Sequence, residues 1–205
     1  MIGIVDYGMG NLRSVRNALE VQAIEARIVE TPAELGEVER LIVPGVGSFA
    51  HAMAELHTRG LVEPLRARAA SGVPMLGICL GMQLLVSLGT EVEPAEGLGL
   101  IPGVAELLPV EPPQRLPHVG WNSLILARPH PVFAAVRKTA DFYFVHSFVV
   151  RVDDAAHSLA TTTYGDAFTS VIARDNIVGV QFHPEKSQEN GLRILENFAA
   201  WDGTC

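Results

Sequence analysis

The chain has 205 residues, 48% of them hydrophobic and 19% charged, with a formal net charge of -8. That balance excludes a disordered polar chain and disfavours a surface made for nucleic acid or anionic membrane. The two cysteines, Cys79 and Cys205, form no disulfide framework, so a reducing cytoplasm is expected, with Cys205 frayed at the end of the chain.

At this size folding buries about 70% of the extended chain's surface, so one ordinary core suffices. One domain over 1–205 is expected. Met1 to Asp6 lacks the basic start and apolar core of a signal peptide, and no apolar run reaches the ~18 residues of a membrane span.

Ile2-Gly3-Ile4-Val5 reads as a strand buried on both faces, followed by the glycine turn Gly8-Met9-Gly10. That turn lacks the third glycine of a dinucleotide fingerprint and the Gly-Lys-Ser/Thr of a phosphate loop. Asn11 is placed to cap a helix carrying Leu12, Val15 and Leu19 on its apolar side. Ile24 to Val29 reads as a second strand, and Thr31-Pro32-Ala33-Glu34 as a boxed helix start.

Leu41-Ile42-Val43 is a third strand, then Pro44-Gly45-Val46-Gly47-Ser48-Phe49 and helical patterns over 50–56 and 61–70. Met75 to Cys79 is a fourth strand, leading into an amphipathic stretch through Leu85. Alternating short apolar strands and helices predict a doubly wound, mostly parallel sheet flanked by helices. The site of such a sheet lies beyond the strand carboxyl ends, where Gly8-Met9-Gly10, Gly45-Val46-Gly47 and Cys79 meet.

Beyond Leu88 the period changes. Residues 91–99 read as a loop. Strands are expected over 104–108, 121–126, 142–150, 158–163, 168–173 and 177–182, with hairpin turns at Gly165-Asp166 and Asp175-Asn176. Pro112-Pro113 and Pro129-His130-Pro131 break the chain in loops, and a helix closes it from about Ser187 to Trp201. The C-terminal half therefore extends the sheet with antiparallel strands.

Within this frame Gly77-Ile78-Cys79-Leu80-Gly81 has the layout of a nucleophile elbow, with small residues two before and two after the nucleophile. Such a turn is expected to point the sulfur at solvent and to aim the next helix's amides and positive dipole end at it. A buried structural thiol is the plainer alternative for a lone cysteine. A nucleophile needs a base, a group to orient the base, and donors for an oxyanion.

His183, at the end of the last strand, is the candidate base, and Glu185, two residues on, can reach its ring if His183-Pro184-Glu185 is extended. A surface His beside a capping Glu is the alternative. The amide of Leu80 and one from Gly45-Val46-Gly47 are the candidate oxyanion donors. His51, His57, His130 and His157 read as surface groups, and His118 and His146 as core or site-rim groups. No pair has metal-ligand spacing, so neither metal nor cofactor is expected.

Together, Gly77 to Gln83 and His183-Pro184-Glu185 resemble the class I, triad-type glutamine amidotransferases. Four further blocks stand in order along the chain: Tyr7 to Leu12, Pro44 to Phe49, Pro117 to Asn122, and Tyr143 to Ser147. Read with the wider segment Gly179 to Ser187, the set is similar to the glutaminase subunits of imidazole glycerol phosphate synthases.

The resemblance implies that Cys79 attacks the amide of glutamine, with His183 as base then acid and Glu185 orienting it. It implies oxyanion donors at Val46, Gly47 and Leu80 and glutamine contacts at Gly47, Gln83, His146, Ser147 and Phe148. It also implies a (β/α)8-barrel cyclase partner that receives the ammonia, docked near Asn11, Trp121, Asn122 and Lys186. Position 148 departs from the pattern of the resembled family, with Phe where Tyr is usual. A silent scaffold of the same fold, a cysteine hydrolase, and a glutaminase for another synthase are the competing readings. The intact Cys79, His183 and Glu185 argue against the first, and the Tyr7 and Pro117 blocks against the last.

Overall fold

The computed structural model describes residues 1–137 and 139–204; Cys205, expected to fray, lies outside them. The first half alternates as expected: β1 (Ile2–Val5), α1 (Leu12–Glu20), β2 (Ala26–Val29), α2 (Pro32–Leu35), β3 (Arg40–Gly45), α3 (Phe49–Thr58), α4 (Val62–Ala70), β4 (Met75–Cys79) and α5 (Leu80–Leu84). Asn11 caps α1, its side chain accepting from Ser14 N at 3.3 Å. Thr31 and Glu34 close the capping box of α2. Each satisfies backbone amides that a helix start leaves free.

The second half is β5 (Val86–Gly89), β6 (Ala95–Glu96), β7 (Ile101–Leu107), β8 (His118–Ser123), β9 (Ile125–Leu126), β10 (Asp141–His146), β11 (Phe148–Val152), β12 (Ser158–Tyr164), β13 (Asp166–Arg174), β14 (Ile177–Val180) and α6 (Gln188–Ala200). The main sheet runs β2-β1-β3-β4-β14-β13-β11-β7-β5-β6, with β12 and β9 attached beside β13. From β2 to β14 every neighbour is parallel. At β13 the direction reverses, and β13, β11 and β7 continue antiparallel. β8 and β10 form a separate two-stranded sheet.

Alternation along the strands divides the core. Ile2, Ile4, Leu76, Ile78, Val178 and Val180 pack on the α1 and α6 side. Val5, Leu41, Val43, Met75 and Ile177 pack on the side of α3, α4 and α5. Successive side chains of a strand point to opposite faces, so a sheet covered on both faces needs such continuous apolar runs. Among the described residues no helix is long and apolar enough to cross a membrane.

Four element readings are corrected. The stretch 142–150 is two strands divided at Ser147, because β10 pairs with β8 while β11 crosses into the main sheet beside β7. The stretch 121–126 begins at His118 and is interrupted at Leu124. The helix after Cys79 stops at Leu84, and Val86–Gly89 is a strand parallel to β7; Gly89 lies against the Phe49 ring, where a Cβ would come within 2.3 Å. Residues 91–99 are not all loop: Ala95–Glu96 pairs with β5 and Leu98 is buried. Unbroken apolar periodicity cannot reveal where a chain changes sheets.

Candidate active site

The elbow at Cys79 is built by close backbone approach. A Cβ on Gly81 would lie 1.8 Å from the Val43 carbonyl oxygen, and one on Gly77 2.7 Å from the Gly81 carbonyl oxygen. Only glycine lets α5 leave β4 this sharply while touching β3. Cys79 itself takes φ 54° and ψ -111°, a conformation that a residue with a side chain holds only under constraint from its surroundings. The sulfur does not point at bulk solvent as expected: Cys79 is 7% exposed and stands in the wall of a cleft of about 370 Å³. α5 has only five residues, so its dipole is weaker than the sequence suggested, although the first-turn amides still lack intrahelical acceptors.

His183 lies just beyond β14, the strand parallel to β4, which brings it across from Cys79. His183-Pro184-Glu185 is not extended as expected. Pro184–Lys186 is a 3-10 turn, which folds Glu185 back under the ring. His183 Nδ1 donates to Glu185 Oε1 at 2.8 Å, with both side chains buried. Burial opposes charge on His183, but the neighbouring Cys79 and the Glu185 carboxylate outweigh it and raise the pKa to about 9. Ser187 Oγ donates to His183 O at 2.6 Å and accepts from Tyr143 N at 3.0 Å, fixing the turn to β10.

The segment after β3 closes one side of the cleft. Tyr7 is buried and its hydroxyl donates to Pro44 O at 2.8 Å; burial, with Cys79 and Asp6 nearby, pushes its pKa upward. The Val46 amide donates to Met9 O at 3.3 Å, so in this state it is committed away from the cleft. Gly47 has φ +102°.

The cleft brings together ten of the residues singled out in the sequence: Val46, Gly47, Cys79, Leu80, Gln83, His146, Ser147, Phe148, His183 and Lys186. Glu185 sits behind His183 and, with Asn11, borders a second cavity of about 10 Å³. Its Oε2 is buried with no hydrogen-bond partner among the described residues. Trp121 and Asn122 lie outside the cleft. Trp121 is 49% exposed and meets Tyr143 edge-on at 5.9 Å, with Lys186 Nζ 5.9 Å above the same Tyr143 ring. Asn122 turns inward, its Nδ2 donating to Thr163 O at 2.9 Å.

Two cleft side chains called substrate contacts are tied to protein groups. Gln83 Nε2 donates to Phe148 O at 3.0 Å and to Gln181 Oε1 at 3.2 Å. The ring nitrogens of His146 face Phe148 O and His118 Nδ1, each at 3.0 Å. The Phe148 carbonyl thus carries structural bonds that do not depend on its side chain. Burial, then His118, drives the pKa of His146 down to about 3, so its ring is neutral. Among the described residues no three His, Cys, Asp or Glu side chains group to hold a metal ion.

Sequence reading missed Gln181 and Glu91. Gln181 is fully buried and its Nε2 lies 3.7 Å from Cys79 Sγ. Its spacing of two from His183, which places both on one side of extended chain, was the available signal. Glu91 lines the cleft and accepts from Phe49 N at 2.9 Å. Nothing in its acidic surroundings distinguishes it from Glu93 or Glu96 in the sequence.

The family profile described as glutamine amidotransferase class-I matches residues 3–201. The chain is 47% identical over 201 residues to the imidazole glycerol phosphate synthase subunit HisH of Desulfitobacterium hafniense (strain Y51), covering 98% of this chain and 94% of the relative. It is 46% identical over 205 residues to the subunit of the same name from Salinibacter ruber, covering 98% and 94%. A solved glutamine amidotransferase superposes with TM-score 0.75 at 22% identity over 98% of this chain and 99% of that one, a likeness of fold. Matched at this level along nearly its whole length, the chain belongs to the class I glutamine amidotransferase family, alongside the HisH subunits of imidazole glycerol phosphate synthase.

Proposed function

We propose that this chain is the glutaminase subunit of an imidazole glycerol phosphate synthase and that Cys79, His183 and Glu185 carry its chemistry. The observation that supports this most is that His183, paired at 2.8 Å with the buried Glu185 behind it, shares one cleft with Cys79. In the proposed reaction the Cys79 thiolate adds to the side-chain carbonyl carbon of glutamine. His183, charged, gives its proton to the leaving nitrogen, and ammonia departs as the thioester forms. Neutral His183 then takes a proton from water, which attacks the thioester, and the proton passes to sulfur as glutamate leaves. Glu185 stabilises the imidazolium and holds its tautomer.

The oxyanion of each tetrahedral species faces the Leu80 amide and a donor from Val46-Gly47. The Val46 amide is bonded to Met9 O at 3.3 Å, so that donor is complete only after the peptide reorients about Gly47. This supports a subunit that works slowly alone and is switched on by its partner. We place the partner, a (β/α)8-barrel cyclase that uses the ammonia, on the face carrying Asn11, Trp121 and Lys186, with the Asn122 side chain turned inward behind it. Exposed Val119 and Trp121, with Lys186 over the Tyr143 ring that Trp121 meets, fit such a contact. Residues 1–205 act as one amidotransferase unit, and a free nucleophilic thiol without a disulfide framework fits a reducing compartment such as the cytoplasm. Glutamine-dependent synthesis by the complex tests the assignment: Cys79→Ala abolishes it while added ammonium still supports the cyclase. Retained glutamine turnover in Cys79→Ala would sink the proposal.

A further inference from the structure

His118 belongs to no part of the chemistry above, yet it is a nearly buried polar group at 3% exposure in an aromatic enclosure. Its ring stacks on Tyr164 at 4.1 Å and Phe144 at 5.1 Å, with the edge of Phe168 at 5.9 Å. In register it is the cross-strand partner of His146. We infer that His118 is a positioning residue for glutamine binding, holding His146 in one tautomer and thereby fixing the Phe148 carbonyl and the Gln83 amide that border the substrate. This inference rests on the proposal that the cleft binds glutamine.

Hydrogen-bond direction carries the argument. A carbonyl oxygen only accepts, so the contact of Phe148 O with His146 Nδ1 at 3.0 Å puts the proton on Nδ1. The ring is neutral, so His146 Nε2 must accept, and among the described residues the group bonded to it is His118 Nδ1 at 3.0 Å. His118 therefore carries its proton on Nδ1, and its Nε2 accepts from Asn122 Nδ2 at 3.5 Å. The chain of donors runs one way, from Asn122 through both rings to Phe148 O. That carbonyl also receives Gln83, which in turn donates to Gln181, whose Nε2 reaches Cys79 Sγ at 3.7 Å. Removing the His118 donor leaves a buried acceptor on His146 unpaired. The ring can then turn or change tautomer, releasing Phe148 O.

Two substitutions separate donor from packing. His118→Phe keeps the stacked ring and loses the donor. His118→Asn loses the ring but can present its amide N–H where Nδ1 stood. In the complex with the cyclase subunit, His118→Phe is expected to raise KM for glutamine about tenfold with kcat changed less than threefold. His118→Asn should stay within threefold of the unaltered KM although its Tm falls further. An unchanged KM in His118→Phe, or a larger KM rise in His118→Asn than in His118→Phe, overturns the inference. The imidazole 15N spectrum of the unaltered chain gives a readout independent of variant folding. It should show both His118 and His146 protonated on Nδ1, and either ring protonated on Nε2 instead refutes the chain of donors. Cys79→Ala run alongside tests the underlying reading separately: retained glutamine turnover there would refute the glutaminase chemistry, whereas an inert Cys79→Ala with an unaltered KM in His118→Phe would refute only the role of His118.

Discussion

Replacing Glu185 with Gln isolates the charge of the orienting group. The amide keeps nearly the same shape and an acceptor for His183 Nδ1, which lies 2.8 Å from the present carboxylate oxygen, but it cannot stabilise an imidazolium by charge. His183 stands at a pKa of about 9 against an ordinary 6.5, with Cys79 and Glu185 together overcoming burial. At about 1.4 kcal/mol per pH unit this is roughly 3 kcal/mol in favour of the charged ring. Loss of the Glu185 charge removes one of the two partners that overcome burial, so kcat is expected to fall at least about tenfold.

The pH dependence follows with a definite sign. A raised folded-state pKa stabilises the fold fully below the unfolded value of 6.5, and that contribution fades as pH rises through about 9. Glu185→Gln should therefore be less stable than the unaltered chain near pH 6, with the gap closing above about pH 9. Its activity should also fail at a lower alkaline pH. Glutamate release by the complex across this range, with denaturant unfolding at both ends, checks both. A kcat within threefold of the unaltered enzyme, with an alkaline limb that does not move, would refute the reasoning.

Gly81→Ala forces a Cβ to within 1.8 Å of the Val43 carbonyl oxygen, so the elbow must open; a loss of more than about 3 kcal/mol or failure to fold is expected, read by denaturant unfolding. Trp121→Ala removes an aromatic side chain from a residue that is 49% exposed, so Tm should change by only a few degrees while Kd for the cyclase rises at least tenfold in titration calorimetry. Because the Val46 amide is bonded to Met9 O, the isolated chain should release glutamate at least tenfold more slowly than the complex; a full rate from the chain alone contradicts the proposed reorientation.

Much of this protein was legible in the order of its residues. The parallel half is written in short β-branched runs punctuated by helix starts: Ile2 to Val5, Leu41 to Val43 and Met75 to Cys79 each needed burial on both faces, and each received it. Asn11 and Thr31 declared their helices through local hydrogen bonds that no distant contact alters. The glycines around Cys79 announced a tight turn because backbone approach excludes side chains whatever lies beyond. Tertiary structure decided what depends on partners far along the chain. It split the run 142–150 at Ser147 between two sheets, ended α5 after five residues, and folded Glu185 under His183 with a 3-10 turn. It also turned His118, His146, Gln83 and Gln181 from scattered polar residues into one directed set of donors. A strand or a cap is set by neighbours a few residues away. The pairing of buried polar groups is set by which strands lie side by side, and only the folded sheet supplies that.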